Sequence, residues 1–237
     1  DFYLGAVVAG TLYTGHKFNS MALWHRALSN SEVLAARAFL VSRSGLTATS
    51  PTRLIAYEGD SITAGAAPGV TFPFLYAANA SPKAYGTLYA VSGSAISNLV
   101  TRSTRLLSTF SASSGLSKKI VVVAVGRNDL LVLGMGPWLI ALAAYLDTLR
   151  SDGLIVALCT LLPSTASGFN AARNTVNPTL RTWPGIHCDA IIDFAADATM
   201  GPDAAASNAT YYSDGTHPTA AGQVILETVA RPVLNAL

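Results

Sequence analysis

From residue 54 onward, short apolar runs alternate with longer segments in which apolar residues recur at helical spacing. The runs are Leu54–Tyr57, Thr87–Val91, Ile120–Val125, Leu154–Leu158 and Ala190–Phe194. The helix-like segments are Phe72–Ala80, Ile96–Phe110, Pro137–Leu149, Ala171–Trp183 and, last, Thr219–Leu234. Alternation at this interval is the pattern of βαβ units, because neighbouring parallel strands need a crossover long enough to hold a helix. Ile120-Val121-Val122-Val123-Ala124-Val125 carries no polar residue on either face, which suits a central strand covered on both sides. With right-handed crossovers, the expected fold is α/β: a three-layer α/β/α sandwich around a five-stranded parallel sheet. Ligands of such sheets bind beyond the carboxyl ends of the strands, and Ser61, Gly93 and Asn128 each follow a predicted strand.

The first 45 or so residues break this pattern. Leu4–Val8 and Phe18–Trp24 read as strands around a Gly-rich turn, and Ser29 with Glu32 forms a capping box that opens a helix to about Val41. This short strand–helix piece has too few strands for a sheet of its own. Residues 1–45 are therefore expected to be an appendage, joined by a polar linker to about residue 51, with the α/β domain at 52–237. In residue order, Ala22-Leu23-Trp24-His25-Arg26-Ala27-Leu28-Ser29 and the helix after it resemble the carboxyl end of a concanavalin-like (laminin-G-like) lectin sandwich. The resemblance implies a glycan-binding domain upstream in a parent protein. The alternative is an amino-terminal extension that docks on the α/β domain.

Charged residues make up 12% of the chain, about half the usual share. Apolar types reach 51%, enough for a sizeable core, and leave a surface rich in Ser, Thr, Asn, Gly and Ala. The net charge is +2 and no basic cluster is longer than Lys118-Lys119, so no nucleic-acid partner is expected. No apolar stretch reaches the ~18 residues of a membrane span. Beginning with Asp1, the chain is expected to be a processed or excised product; its compartment stays open, with an extracellular, cell-surface or virion-associated setting as the leaning. Cys159 and Cys188 fall in or beside predicted buried strands and are expected to be free thiols. Oligomeric state is not legible.

Two segments carry chemistry: Gly59-Asp60-Ser61 after the first strand and Asp214-Gly215-Thr216-His217-Pro218 near the end. A serine hydroxyl needs a base to become a useful nucleophile, and a histidine oriented by a carboxylate serves near neutral pH. Asp214 and His217 share one loop, where a turn at Gly215 can aim both side chains together. An oxyanion needs donors; Ser61 offers its backbone N–H, Gly93 a backbone N–H unobstructed by Cβ, and Asn128 a side-chain amide. Asp60 is read chiefly as loop support, and Asp129 as a cap of the following helix or a brace for the Asn128 loop. Arg127 is read as an ion-pair residue ahead of a substrate donor; Asp60 and Arg127 remain candidate substrate contacts. Arg102 is assigned to the surface or an ion pair, and His16, His25 and His187 to structure. Phe72, Phe74 and Leu130–Leu133 are candidates for an apolar acyl pocket. There is no Gly-x-Ser-x-Gly elbow, dinucleotide fingerprint or Walker lysine, and no zinc-binding spacing, so neither cofactor nor metal is expected.

Gly59-Asp60-Ser61-Ile62-Thr63, Gly93, Gly126-Arg127-Asn128-Asp129 and Asp214-Gly215-Thr216-His217-Pro218 resemble, in order, the four signature blocks of the GDSL-type (SGNH) serine hydrolases. The resemblance implies a flavodoxin-like α/β/α fold and ester hydrolysis without a metal. It would make Ser61 the nucleophile, His217 the base, Asp214 its orienter, and Ser61, Gly93 and Asn128 the oxyanion hole. Ile62 stands where the family name has Leu, and Arg127 where a small or hydroxyl residue is commoner. The expected substrate is a small-molecule or carbohydrate ester carrying a small acyl group, foremost acetyl on a sugar. The alternatives are a thioesterase or lysophospholipase of the same family, and a glycan-binding module on an inactive hydrolase scaffold.

Overall fold

Strands β1 (Arg53–Gly59), β2 (Ala84–Leu88), β3 (Lys118–Ala124), β4 (Ile155–Cys159) and β5 (Ala190–Ile192) form one sheet. All pairs are parallel, in the order β2-β1-β3-β4-β5. This is the flavodoxin-like order, in which the winding reverses between β1 and β3 and leaves a crevice at their carboxyl ends. The computed structural model describes residues 52–65, 70–113 and 115–237. The expectations for residues 1–51, lectin resemblance and linker included, lie outside these.

The helices are α1 (Ser61–Ala64), α2 (Phe72–Asn79), α3 (Ile96–Ala112), α4 (Leu130–Leu133), α5 (Met135–Ser151), α6 (Phe169–Leu180) and α7 (Ala220–Ala236). Strand side chains alternate between two cores, as a period of two requires. Leu54, Ala56, Val121 and Val123 face one core with Leu99 and Leu106 of α3, Trp138 and Leu142 of α5 and Val176 of α6. Ile55, Tyr57, Ile120 and Val122 face the other with Phe72 and Tyr76 of α2 and Leu226 and Leu234 of α7. Phe72 is packed edge-on between Tyr57 and Phe194, with ring centroids 5.9 and 5.3 Å away. Phe72 and Leu130 are thus buried core residues, which corrects their assignment to an acyl pocket.

Two strand ends differ from expectation for local reasons. β2 runs three residues earlier than the apolar pattern suggests. Past Leu88 the ladder becomes irregular: the N–H groups of Tyr89 and Ala90 both donate to Tyr57 O (2.8 and 3.0 Å). β5 stops at Ile192 because Asp193 turns to Arg181 (2.7 Å) and Thr160 (2.9 Å), and Phe194–Ala196 closes into a 3₁₀ turn. Cys159 and Cys188 are free and buried.

Candidate active site

β1 ends at Gly59, where any Cβ would collide with the Ala124 carbonyl of β3. The chain turns at once into α1. Asp60 caps it, its Oδ1 accepting from the Ile62 N–H at 3.0 Å, and Ser61 opens it, 7% exposed. Gln223 on α7 fastens this turn. Its Nε2 donates to Ile62 O (2.9 Å), and its Oε1 accepts from the Phe72 N–H (2.8 Å). Nothing in the sequence pattern singled out Gln223.

The second half of the site is a self-braced loop. Asp214 Oδ1 accepts from the N–H groups of Thr216 (3.0 Å) and His217 (2.8 Å), and the Ser213 N–H donates to His217 O (2.9 Å). Gly215 sits at φ +78 with the Thr165 side chain against the place of a Cβ, so both backbone sign and space call for glycine. Thr219 then caps α7, its hydroxyl accepting from the Gly222 N–H at 3.2 Å.

These segments, 156 positions apart, meet: Ser61 Oγ lies 2.7 Å from His217 Nε2. His217 Nδ1 lies 2.6 Å from Asp214 Oδ2. A carboxylate can only accept, so Nδ1 carries the proton and the Nε2 lone pair faces the serine hydroxyl. Burial acts to raise the Asp214 carboxyl, but hydrogen bonds from the His217 side chain and from the His217 and Thr216 backbone outweigh it and hold the group below its usual range. The arrangement can take a proton from Ser61 and return it to a leaving group.

Gly93 lies in the turn after β2 at φ +78, and no atom of the described residues, its chain neighbours aside, comes within 4 Å of the position of a Cβ. Backbone sign, not crowding, is what favours glycine there. The Asn128 side-chain amide donates to Ser94 O at 3.0 Å, which orients it and leaves its second N–H for another acceptor. Gly126, at φ +137, passes so close to Trp138 that a Cβ would stand 2.6 Å from the indole.

Asp129 and Arg102 each follow one of the two roles read for them, and Arg127 departs from its own. Asp129 does not cap α4, which follows it; its Oδ1 accepts from the Ile96 N–H at 2.8 Å and so caps α3, tying the Asn128 loop to the Gly93 loop. Arg127 makes no ion pair among the described residues. Its guanidinium lies 4.9 Å from the centre of the Phe169 ring and donates weakly to Thr216 Oγ1 at 3.5 Å. Arg102 takes the ion-pair role of its assignment, part-buried at 2.9 Å from the fully buried Glu58. The signal was present: Ile96, Leu99, Leu106 and Phe110 form the buried stripe of α3, and Arg102 falls within it. Asp60 and Arg127 help line a small cavity behind the turn, with Ile62, Thr160, Leu161 and Phe194. Burial pushes the Asp60 carboxyl up to about 6, against the Ile62 N–H bond and the Arg127 guanidinium. His187 pairs with Asp147 at 2.9 Å. Among the described residues, no group of three or more His, Cys, Asp or Glu could hold a metal ion.

Burial raises Glu58 to about 7 from 4.5, with Arg102 opposing. Between those values the folded chain keeps a proton that the unfolded chain releases. The stabilising contribution of this group is therefore full below about pH 4.5 and is lost as pH rises through about 7. Thermal unfolding midpoints across this window should fall with pH more steeply for the wild type than for Glu58→Gln; equal slopes would contradict the assignment.

A model of the GDSL-like Lipase/Acylhydrolase family matches residues 59–225. No curated protein sequence matches this chain. Among solved structures, a member of the lipolytic protein G-D-S-L family from Veillonella parvula is 18% identical, with a TM-score of 0.65, covering 78% of this chain and 100% of its own. The psychrotrophic esterase EstA from Pseudoalteromonas sp., in a structure inhibited by monoethylphosphonate, is 15% identical, with a TM-score of 0.60, covering 78% of this chain and 97% of its own. The acetyl xylan esterase AlAXEase is 18% identical, with a TM-score of 0.57, covering 78% of this chain and 99% of its own. At these identities the likeness to the solved structures is one of fold.

Proposed function

Because the chain belongs to the GDSL-like lipase/acylhydrolase family, and is thereby an ester hydrolase, we propose that it is a metal-independent serine esterase working through an acyl-enzyme. The observation that carries this reading is the unbroken chain of short contacts from Ser61 Oγ to His217 (2.7 Å) and from His217 to Asp214 (2.6 Å). Ser61 attacks the ester carbonyl as His217 takes its proton. The bond to the alcohol breaks when His217 gives that proton to the leaving oxygen. Water, deprotonated by the same imidazole, then attacks the acyl-enzyme, and the proton returns to Ser61 as the acid leaves. Asp214 keeps Nδ1 protonated and stabilises the imidazolium. The oxyanion of each tetrahedral intermediate is held by the N–H groups of Ser61 and Gly93 and by the free N–H of Asn128. Asn128→Ala should lower kcat about 10²–10³-fold with little change in unfolding midpoint, as loss of one oxyanion donor does; an unchanged kcat would remove Asn128 from this role. A chelator should leave activity intact, and a large loss would contradict the metal-free mechanism.

The substrate we propose is a small acyl ester, foremost an O-acetyl group on a carbohydrate. Support comes from the weakly charged surface, the lectin-like order of the first residues, and the presence of an acetyl xylan esterase among the fold neighbours. One observation favours a second reading, a thioesterase or lysophospholipase acting on longer chains. Leu131, Val132 and Leu133, directly after the Asn128 loop, are exposed, Val132 at 82%. Rates on matched esters of increasing acyl length decide between them: acetyl should lead, and a sharp preference for long chains would overturn that choice.

A further inference from the structure

Arg102 stands in the buried stripe of α3 with its side chain 18% exposed, opposite a Glu58 carboxylate that is fully buried. The strand period puts Glu58 on the same sheet face as Leu54 and Ala56, so its charge enters an apolar core. A simple compensating pair would need only one contact. The Arg102 fork makes more. Nε and Nη2 reach Glu58 Oε2 at 3.0 and 2.9 Å, Nη2 also donates to Gly59 O at 3.1 Å, and Nη1 donates to Ser94 Oγ at 2.8 Å. Glu58 and Gly59 are the last residues of β1, immediately before Asp60-Ser61. Ser94 follows Gly93, and its carbonyl is the acceptor for the Asn128 side-chain amide (3.0 Å). One planar cation thus joins the strand that delivers Ser61 to the loop that bears Gly93, and through Ser94 reaches Asn128.

We propose that Arg102 is a positioning residue of the hydrolytic reaction: anchored on Glu58, it sets the Gly93–Ser94 loop and the Asn128 amide against the turn carrying Ser61. The inference rests on the roles given above to Ser61, Gly93 and Asn128. Arg102 touches no reacting atom. Its effect falls on the transition state, since donors placed for the oxyanion matter most when the charge develops, and a displacement of about 1 Å can cost as much as 10²-fold in rate.

The test is steady-state kinetics on a chromogenic acetyl ester with Arg102→Ala, Arg102→Lys and Ser94→Ala, alongside unfolding midpoints and the rate of inactivation by a serine-directed phosphonate. Arg102→Ala should lower kcat roughly 10- to 100-fold with KM nearly unchanged. Phosphonate inactivation should slow in parallel, and added methylguanidinium should restore part of kcat. Arg102→Lys keeps the charge but cannot span the same acceptors, so it should fall between. If Arg102→Ala does not fold, Arg102→Lys and Ser94→Ala carry the test, because both leave a cation or its anchor beside Glu58. Lowered midpoints with kcat and phosphonate reactivity unchanged would overturn the proposal and leave Arg102 purely structural. Failure of the underlying reading looks different: wild-type protein would be insensitive to the phosphonate, and Ser61→Ala would hydrolyse at the wild-type rate.

Discussion

Replacing Ser61 by alanine should lower kcat on a small ester by about 10⁵–10⁶-fold, the scale seen when a triad nucleophile is deleted. The size follows from the surroundings. Ser61 Oγ makes its hydrogen bond to His217 Nε2, so truncation removes the attacking atom and strands the imidazole without a proton to take. Neither the Ser94 nor the Thr63 hydroxyl can substitute. Ser94 Oγ is held by Arg102 at 2.8 Å, and Thr63 is fully buried beneath the turn. What remains should be the modest catalysis of oxyanion donors and binding, roughly 10³–10⁴ over water. Because the two residues act as a unit, adding His217→Ala should cost almost nothing further. The unfolding midpoint should hardly move, since among the described residues the lost hydroxyl makes no hydrogen bond to any other side chain. A Ser61→Ala rate within tenfold of the wild type would be incompatible with acyl-enzyme chemistry at this position.

Asp214→Asn should be the next most damaging change, lowering kcat about 10³–10⁴-fold by presenting the wrong tautomer. The two carboxylate oxygens have separate duties. Oδ1 accepts from the backbone of Thr216 and His217 and shapes the loop, whereas Oδ2 accepts from the imidazole Nδ1. An asparagine can keep its oxygen on the backbone donors and so preserve the loop. Its NH₂ then faces Nδ1, which must turn acceptor, and the ring proton moves to Nε2. There it confronts Ser61 as a donor, and the base is lost. The Asp214 side chain is 54% exposed, so water can partly reorganise around the substitution, which is why the lower end of the range is included. The check is kcat with the structure or backbone spectra of the variant: an intact loop with unchanged kcat would remove Asp214 from the proton path.

Most of the sheet was legible because its strands are buried on both faces and therefore continuously apolar, Ile120–Val125 above all. The helices were legible from spacing and from Pro and Gly punctuation. β2 was displaced because it is an edge strand with half-exposed residues, so apolar content did not mark its bounds. The residues that meet at the candidate site were legible for another reason: each stands alone at a strand end or in a tight loop, where composition cannot explain it. What escaped was long-range pairing. Asp129 caps a helix 33 positions earlier instead of the one it precedes. Arg127 stacks on Phe169 instead of finding an acid, and Gln223 reaches back across 151 positions to Phe72. A polar side chain shows its type in the sequence but not its partner. Arg102 was the exception that could have been read, since a cation inside an apolar helical stripe calls for a buried acid, and Glu58, in phase with Leu54 and Ala56, supplies it.

The most direct measurement is a crystal structure of the protein after reaction with a serine-directed phosphonate. Phosphorus should be bonded to Ser61 Oγ, with the phosphoryl oxygen about 2.7–3.1 Å from the Ser61 and Gly93 backbone nitrogens and the Asn128 amide, and His217 still bridging to Asp214. An adduct on another residue, or a phosphoryl oxygen turned away from all three donors, would contradict a serine mechanism built on these loops.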